Sequence, residues 1–461
     1  MKRLIAIIIA ISTLLSLVAC KPKAEPCTLN GVNIENYTIV YDAEGLDYNK
    51  RAAEYIKNTI FERSGAELQI VDDSTPASEY EIVVGETSRP ISAELDADTE
   101  GFEFALFGKG NSIALEADYF VIAAAAYYFM ETYPLDSGYN GVIAEGVSIN
   151  TPIFKSADNL ILLIGDGMGV NQTLLFDYLE DTSEYSDKES LFYGYMFPYQ
   201  GYSRTSSFSG VTDSAAGGTA LATGYKTYNE YVGLDKNGNK IKSLTELAAE
   251  LGKATAVMST ETNTGATPST FSSHTANRDN TADILADQLV LMTTHGTVID
   301  CGYDYYNARY MKVIENHISD TLSKVGDDTD GFFLMYEEAH IDKKSHKNEL
   351  ENTFLALIRF NQAIARFMEY AFYHPNTAVI ITADHETGGL LPDGNGSLAY
   401  TTGDHTAADV PVFAWGQGVE SLNGKTVENI ELAKLFASLM GEDNFGDQSN
   451  EWYDAIYGAQ Q

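Results

Sequence analysis

Unbroken apolar runs, each closing abruptly on polar or acidic residues, alternate with helical stretches along the later two thirds of this chain. From Asn159 onward the runs are Leu160 to Ile164, Thr255 to Met258, Phe332 to Tyr336, Ala378 to Thr382 and Val410 to Trp415. Runs without polar alternation are the mark of strands buried on both faces, as in parallel sheets. Between them, Leu244 to Leu251 reads as a helix opened by the capping box Ser243-x-x-Glu246 and closed at Gly252. Asn348 to Phe372 reads as a longer helix stopped by Pro375. This alternation predicts an α/β domain over residues 155–461, a mostly parallel sheet sandwiched by helices.

The same reading applied to residues 31–150 gives a small α/β accessory domain. Tyr37 to Tyr41 alternates as a strand does, and Lys50 to Ser64 forms a helix stopped at Gly65. Strands follow at Leu68 to Val71, Glu81 to Val84, Phe102 to Phe107 and Ile113 to Glu116, then an alanine-rich helix from Tyr119 to Tyr133. The pattern is similar to the small non-catalytic domains ahead of the catalytic barrels of hexosaminidases and α-glucuronidases. No polar residues converge in it, so it reads as a spacer or docking domain, joined to the rest by Pro134 to Pro152.

The first residues belong to neither domain. Lys2 and Arg3 precede an apolar stretch, Leu4 to Val18, shorter than the ~20 residues of a comfortable membrane span. Leu17-Val18-Ala19-Cys20 resembles the lipobox of bacterial lipoproteins. Residues 1–19 therefore read as a lipoprotein signal peptide, with Cys20 lipidated and residues 20–30 as anchor and linker; the alternative is an ordinary cleaved signal with a coincidental cysteine. The expectation is an exported protein, at the cell surface or in the periplasm, that meets the membrane only through this anchor.

Charge narrows the partners. Over 461 residues, 29 Lys and Arg stand against 66 Asp and Glu, a net charge of −37. Such a surface will not track a nucleic-acid polymer, which needs basic side chains to displace counterions. Three cysteines cannot frame a disulfide-rich fold; Cys27 and Cys301 could pair, but nothing in the sequence requires it, and Cys301 reads as free and buried.

Chemistry collects where the apolar runs end, which in such sheets is where sites form. The first run leads into Gly165-Asp166-Gly167-Met168-Gly169. The Phe332 run leads into Glu337, then Asp342 and His346; the Ala378 run leads into Asp384-His385; His405 lies just ahead of the last run. Any one of these has a structural explanation as a cap or a core histidine. All of them on one sheet edge do not. Imidazole with carboxylate suits a zinc-like ion, and an all-oxygen shell suits magnesium. Asp342 and His346, four apart, share one helical turn. Two ions about 4 Å apart would clamp an in-line displacement. Thr212-Asp213-Ser214-Ala215-Ala216-Gly217 adds a serine at a helix start, where backbone N–H groups favour anions; Asp213 or Ser214 as an N-cap is the structural alternative.

Taken together, Asp166-Gly167-Met168-Gly169, Asp213-Ser214-Ala215, Ala266-Thr267-Pro268, Glu337 through Asp342 to His346, Thr382-Ala383-Asp384-His385 and Asp404-His405-Thr406 resemble the alkaline phosphatase signatures, in the same order. The resemblance implies hydrolysis of small-molecule phosphate monoesters through a covalent phosphoserine at Ser214, with two Zn2+ and one Mg2+. It implies that Asp342, His346 and His405 hold the first zinc, and Asp166, Asp384 and His385 the second. Asp166, Thr267 and Glu337 would hold magnesium. Arg278 would bind phosphate oxygens, oriented by Asp213, and Lys343 would reach phosphate through water. One position departs from the family: bacterial members often carry Asp or His two residues before Thr267, next to the magnesium site, and here that residue is Gly265. The short stretch from His385 to His405 leaves little chain for the crown-like insertion of dimeric members, so the oligomeric state stays open. Two rivals remain: a phosphodiesterase, phosphonate hydrolase or sulfatase on the same metal core, and a surface lipoprotein that binds phosphorylated ligands or glycans without turnover.

Overall fold

The computed structural model describes residues 25–43, 47–95, 97–178, 191–302, 311–394, 397–449 and 451–458. The leader and Cys20 lie outside the described residues. No helix among those described is long and apolar enough to cross a membrane. The chain separates into two compact units at Ile153 and Phe154.

The first unit is built on one six-stranded sheet. Its strands are β1 (Thr38–Tyr41), β2 (Gln69–Asp72), β3 (Glu81–Val84), β4 (Phe104–Lys109), β5 (Ser112–Glu116) and β6 (Gly146–Asn150), in the order β2-β1-β3-β5-β4-β6. The first four in that order are parallel, and β4 and β6 close the sheet antiparallel. Helices α1 (Asp47–Ser64) and α2 (Ile122–Thr132) pack against each other and the sheet. The stretch expected as a plain connection, Pro134 to Pro152, thus supplies a strand. As an edge strand β6 leaves Val147 and Ile149 about half exposed, so it lacks the buried positions that mark β1, β3, β4 and β5.

The second unit carries the large sheet. In chain order its strands are β7 (Asn159–Gly165), β8 (Tyr199–Arg204), β9 (Ala254–Ser259), β10 (Val298–Cys301), β11 (Phe332–Glu338) and β12 (Thr377–Thr382). A short outlying ladder follows, β13 (Glu386–Thr387) with β14 (His405–Thr406), and then β15 (Val410–Trp415) and β16 (Thr426–Glu428). The main sheet runs β10-β9-β11-β7-β12-β15-β8-β16. All of its strands share one direction except β15, which is antiparallel to both neighbours. This corrects the expectation that the Val410 run is another parallel strand. A strand buried on both faces looks the same in sequence whichever way it runs.

Helices cover both faces. Leu160, Leu162 and Ile164 of β7 belong to one core with Leu221, Leu247 and Phe436, which lie on helices Ser214–Thr223, Leu244–Glu250 and Asn429–Leu439. On the other face Tyr336 stacks on Phe360 and meets Phe367 edge-on, both from helix Leu350–Tyr373. The capping box of Ser243 and Glu246 forms as expected. Cys27 and Cys301 are both free; Cys27 is buried and Cys301 half-buried in the edge strand β10.

Candidate active site

The carboxyl edge of the large sheet gathers the polar residues at the run ends. Asp166 follows β7, Glu337 is the penultimate residue of β11, and Asp384 and His385 follow β12. Asp342 lies on the short helix His340–Ser345, with His346 as its C-cap one turn on. Because β15 runs backwards, its start lies at this same edge. Its approach, through the β13–β14 ladder, delivers His405.

The three histidines are held alike. The Nδ1 of His346 contacts the Gly403 carbonyl at 2.6 Å, that of His405 the Thr212 carbonyl at 2.9 Å, and that of His385 the Thr387 hydroxyl at 3.2 Å. Engaging Nδ1 in this way turns each Nε2 inward as a potential ligand. The Nε2 atoms of His346 and His405 face each other at 3.0 Å, an approach that needs a cation or a shared proton between them. Oδ1 of Asp342 stands 3.3 Å from His346 Nε2 and 3.5 Å from His405 Nε2. Asp342, His346 and His405 therefore offer one compact ligand set; Asp166, Asp342 and His385 offer a second. Asp384 stands beside that second set, with Oδ2 3.2 Å from His385 Nε2.

Ser214 opens helix Ser214–Thr223, and its Oγ lies 3.2 Å from His385 Nε2. Asp213 is the N-cap: Oδ1 accepts from the Ala216 N–H at 2.9 Å, while Oδ2 accepts from Arg278 at 3.2 Å. Capping and presenting the hydroxyl are thus done by adjacent residues. Gly217 has a packing reason, because a Cβ there would come within 2.7 Å of the Asp384 carbonyl oxygen. Glycine lets the serine helix meet the end of β12.

Burial without compensation sets the electrostatics. Asp166 is pushed well above the ordinary carboxylate range by burial, then by the charges of Asp384, Asp342, Glu337 and Glu261. Burial and then Glu261 push Glu337 up to about 8; burial and Asp342 push Asp384 up to about 6. Asp342 goes the other way, to about 2, because its histidine neighbours, His405 foremost, overcome the burial that would raise it. Oδ1 of Asp166, Oδ2 of Asp384, Oε1 of Glu337 and Oγ1 of Thr267 are buried with no hydrogen-bond partner among the described residues. Such groups are costly to bury unless a ligand completes them.

A model of the alkaline phosphatase family matches residues 157–305 and 310–400. This chain belongs to the alkaline phosphatase family. Alkaline phosphatase 3 of Bacillus subtilis (strain 168) is 31% identical over 420 residues, covering 63% of this chain and 90% of that protein. Among solved structures, the alkaline phosphatase of the Antarctic bacterium TAB5 matches with a TM-score of 0.54 and 27% identity, over 62% of this chain and 99% of its own. A variant of that enzyme with a histidine changed to glutamate, described with magnesium bound in its M3 site, matches at 25% identity and TM-score 0.52, over 63% of this chain and 99% of its own. The family match begins within the second unit, so the first lies outside it.

In this alkaline phosphatase, other groups at the edge escape a reading of the sequence alone. Thr387 donates to Asp342 Oδ1 at 2.6 Å and contacts His385 Nδ1, so it orients donors from both ligand sets. Glu386 accepts from Gln172, from Thr406 and from the Gly389 and Leu390 N–H groups, tying down the loop that leads to His405. Proximity to Asp384-His385 was their only sequence signal. Lys343, expected toward phosphate, lies with its Nζ 2.9 Å from Glu261.

Proposed function

We propose that this alkaline phosphatase cleaves phosphate monoesters to an alcohol and inorganic phosphate through a covalent phosphoserine at Ser214, with two zinc ions and one magnesium ion. The observation that carries this reading is Ser214 Oγ at a helix start, 3.2 Å from His385 Nε2, beside buried Asp166 and Asp384 oxygens that lack partners.

The donor set fits the metals. Inward-turned imidazoles with Asp342 suit zinc, as do His385, Asp166 and Asp384. The unpartnered oxygens of Thr267 and Glu337, with Asp166, are hard donors suited to magnesium; the magnesium described for the TAB5 variant lends support to a third ion. When bound, such ions supply Lewis acidity, lowering the pKa of coordinated hydroxyls and carrying charge on the attacking and leaving oxygens.

The chain's own residues do the rest. Ser214 Oγ forms a bond to phosphorus as the ester P–O bond breaks in line and the alcohol departs with a proton. Water then attacks the phosphoserine, freeing inorganic phosphate and returning a proton to Ser214 Oγ. Arg278 grips two equatorial oxygens with its planar fork, which a lysine could not do. Asp213 keeps that fork in place. A diester offers one fewer charged oxygen to Arg278, which favours monoesters.

The test is Ser214→Ala: turnover of an aryl phosphate drops by orders of magnitude while zinc content is retained. Near wild-type turnover would overturn the nucleophile assignment. The ratio of aryl phosphate to aryl diester turnover separates a monoesterase from a diesterase.

A further inference from the structure

Gly265 caps the helix Ala266–Thr270 that carries Thr267, and its backbone (φ −58, ψ 153) is one that any residue adopts. Its conformation therefore gives no reason for glycine. The space beside it does. A Cβ at 265 would stand 2.6 Å from Cγ, 2.7 Å from Cδ and 3.1 Å from Oε1 of Glu261. The volume that a side chain at 265 would occupy is already filled by a carboxylate, brought in from four residues upstream.

Glu261 is held there on both sides. Its N–H donates to Ser259 Oγ at 2.9 Å, and that hydroxyl donates in turn to Glu337 Oε2. Its Oε2 is paired with Lys343 Nζ at 2.9 Å. Beyond it lie Glu337 Oε1 and Thr267 Oγ1, buried and close to each other, with no well-formed hydrogen-bond partner among the described residues. Two unpartnered oxygens next to an anchored carboxylate form an oxygen-rich cluster of the hard donors that Mg2+ takes.

We propose that Glu261 supplies the acidic group of the magnesium pocket that Gly265 cannot supply, and that the two residues form an exchangeable pair. The glycine clears the volume and the glutamate fills it with charge. Mg2+ dehydrates reluctantly and keeps several waters, so Glu261 acts on the ion's water shell, with Asp166, Thr267 and Glu337 as the inner donors. Lys343 is then the clamp that keeps Glu261 over Gly265. This inference rests on the phosphatase reading above, with its third ion.

Calorimetric titration of Mg2+ into zinc-loaded protein tests it, with zinc content as the check on folding. Glu261→Gln keeps shape and loses charge; its Mg2+ affinity falls by roughly 10-fold or more, the scale seen when outer-shell partners of a metal are removed. Glu261→Ala falls likewise, and adding Gly265→Asp to it restores most of the affinity, because the aspartate enters the vacated volume. Wild-type Mg2+ affinity in Glu261→Gln overturns the proposal, as does a double variant no better than Glu261→Ala. If the wild type turns over aryl phosphate but binds no Mg2+, the proposal fails and the serine chemistry stands. If it does neither, the underlying reading fails with it.

Discussion

Glu337 and Glu338 are neighbours at the end of β11, both fully buried, and the pleat sends them to opposite sides of the sheet. Glu338 is met by Arg359 at 3.1 Å and by His340 at 3.2 Å. Burial alone would raise its carboxyl, yet Arg359 and His340 bring it down to about 2. Among the described residues no basic side chain pairs with Glu337, which is raised to about 8. One strand end thus shows two uses of a buried carboxylate. The paired one is part of the scaffold, and the unpaired one is waiting for a ligand. Burial alone separates nothing; the presence of a compensating cation does. The first unit agrees: its buried Arg89 and Glu81 pair at 3.0 Å, and Arg89 also donates to the carbonyls of Asp73 and Thr75.

Breaking the scaffold side should have the largest effect on stability. Arg359→Ala leaves Glu338 with His340 as its remaining partner, and should cost about 3–5 kcal/mol, the range for removing one partner of a buried pair. Urea denaturation of the metal-loaded protein measures this, and a loss below about 1 kcal/mol would mean that Glu338 is not held by Arg359.

On the other side, Glu337→Gln should relieve the metal-free protein while weakening Mg2+ binding in the loaded one. The pH dependence fixes the sign. Between the ordinary value of 4.5 and the folded value of about 8, folded Glu337 keeps a proton that the unfolded chain has lost. The stability of metal-stripped protein therefore falls as pH rises through that window. Thermal melts in chelator across the window should show this fall, shallower in Glu337→Gln. An unchanged slope would assign the effect to other groups.

Asp213 tests the rule at its boundary, since it stands inside the site with both oxygens partnered. Asp213→Ala should lose about 1 kcal/mol as a missing N-cap. It should also weaken phosphate binding, raising KM, because Arg278 loses its brace. A stability loss with unchanged KM would leave Asp213 a cap only.

Much of this arrangement can be read in the sequence, for a definite reason. Strand ends in a parallel sheet share one edge, so Asp166, Glu337 and Asp384-His385 must be neighbours once their runs are recognised as strands. Ser214 and Asp213 are local, and local capping chemistry survives into the fold. What stays hidden depends on direction and on packing between distant segments. The reversal of β15 carries no sequence mark, and β8, β10 and β16 are edge or polar strands without a long apolar run. Thr387, Glu386 and Glu261 matter only through partners that the fold brings in. Gly265 illustrates this most clearly: in sequence it is a missing ligand, and in the fold it is the space taken by Glu261.

The reversed strand has a consequence for the order in which the protein becomes competent. Asp342 and His346 share one helical turn and can meet early. Their third companion, His405, reaches them only when β15 has docked against β12 and β8. His405 is distant in sequence from Asp342 and His346, and such long-range pairings form late because chain closure must precede their reward. Assembly of the first candidate ligand set therefore reports that the chain has closed as far as His405, and a chain stalled before β15 docks would present two of its three donors.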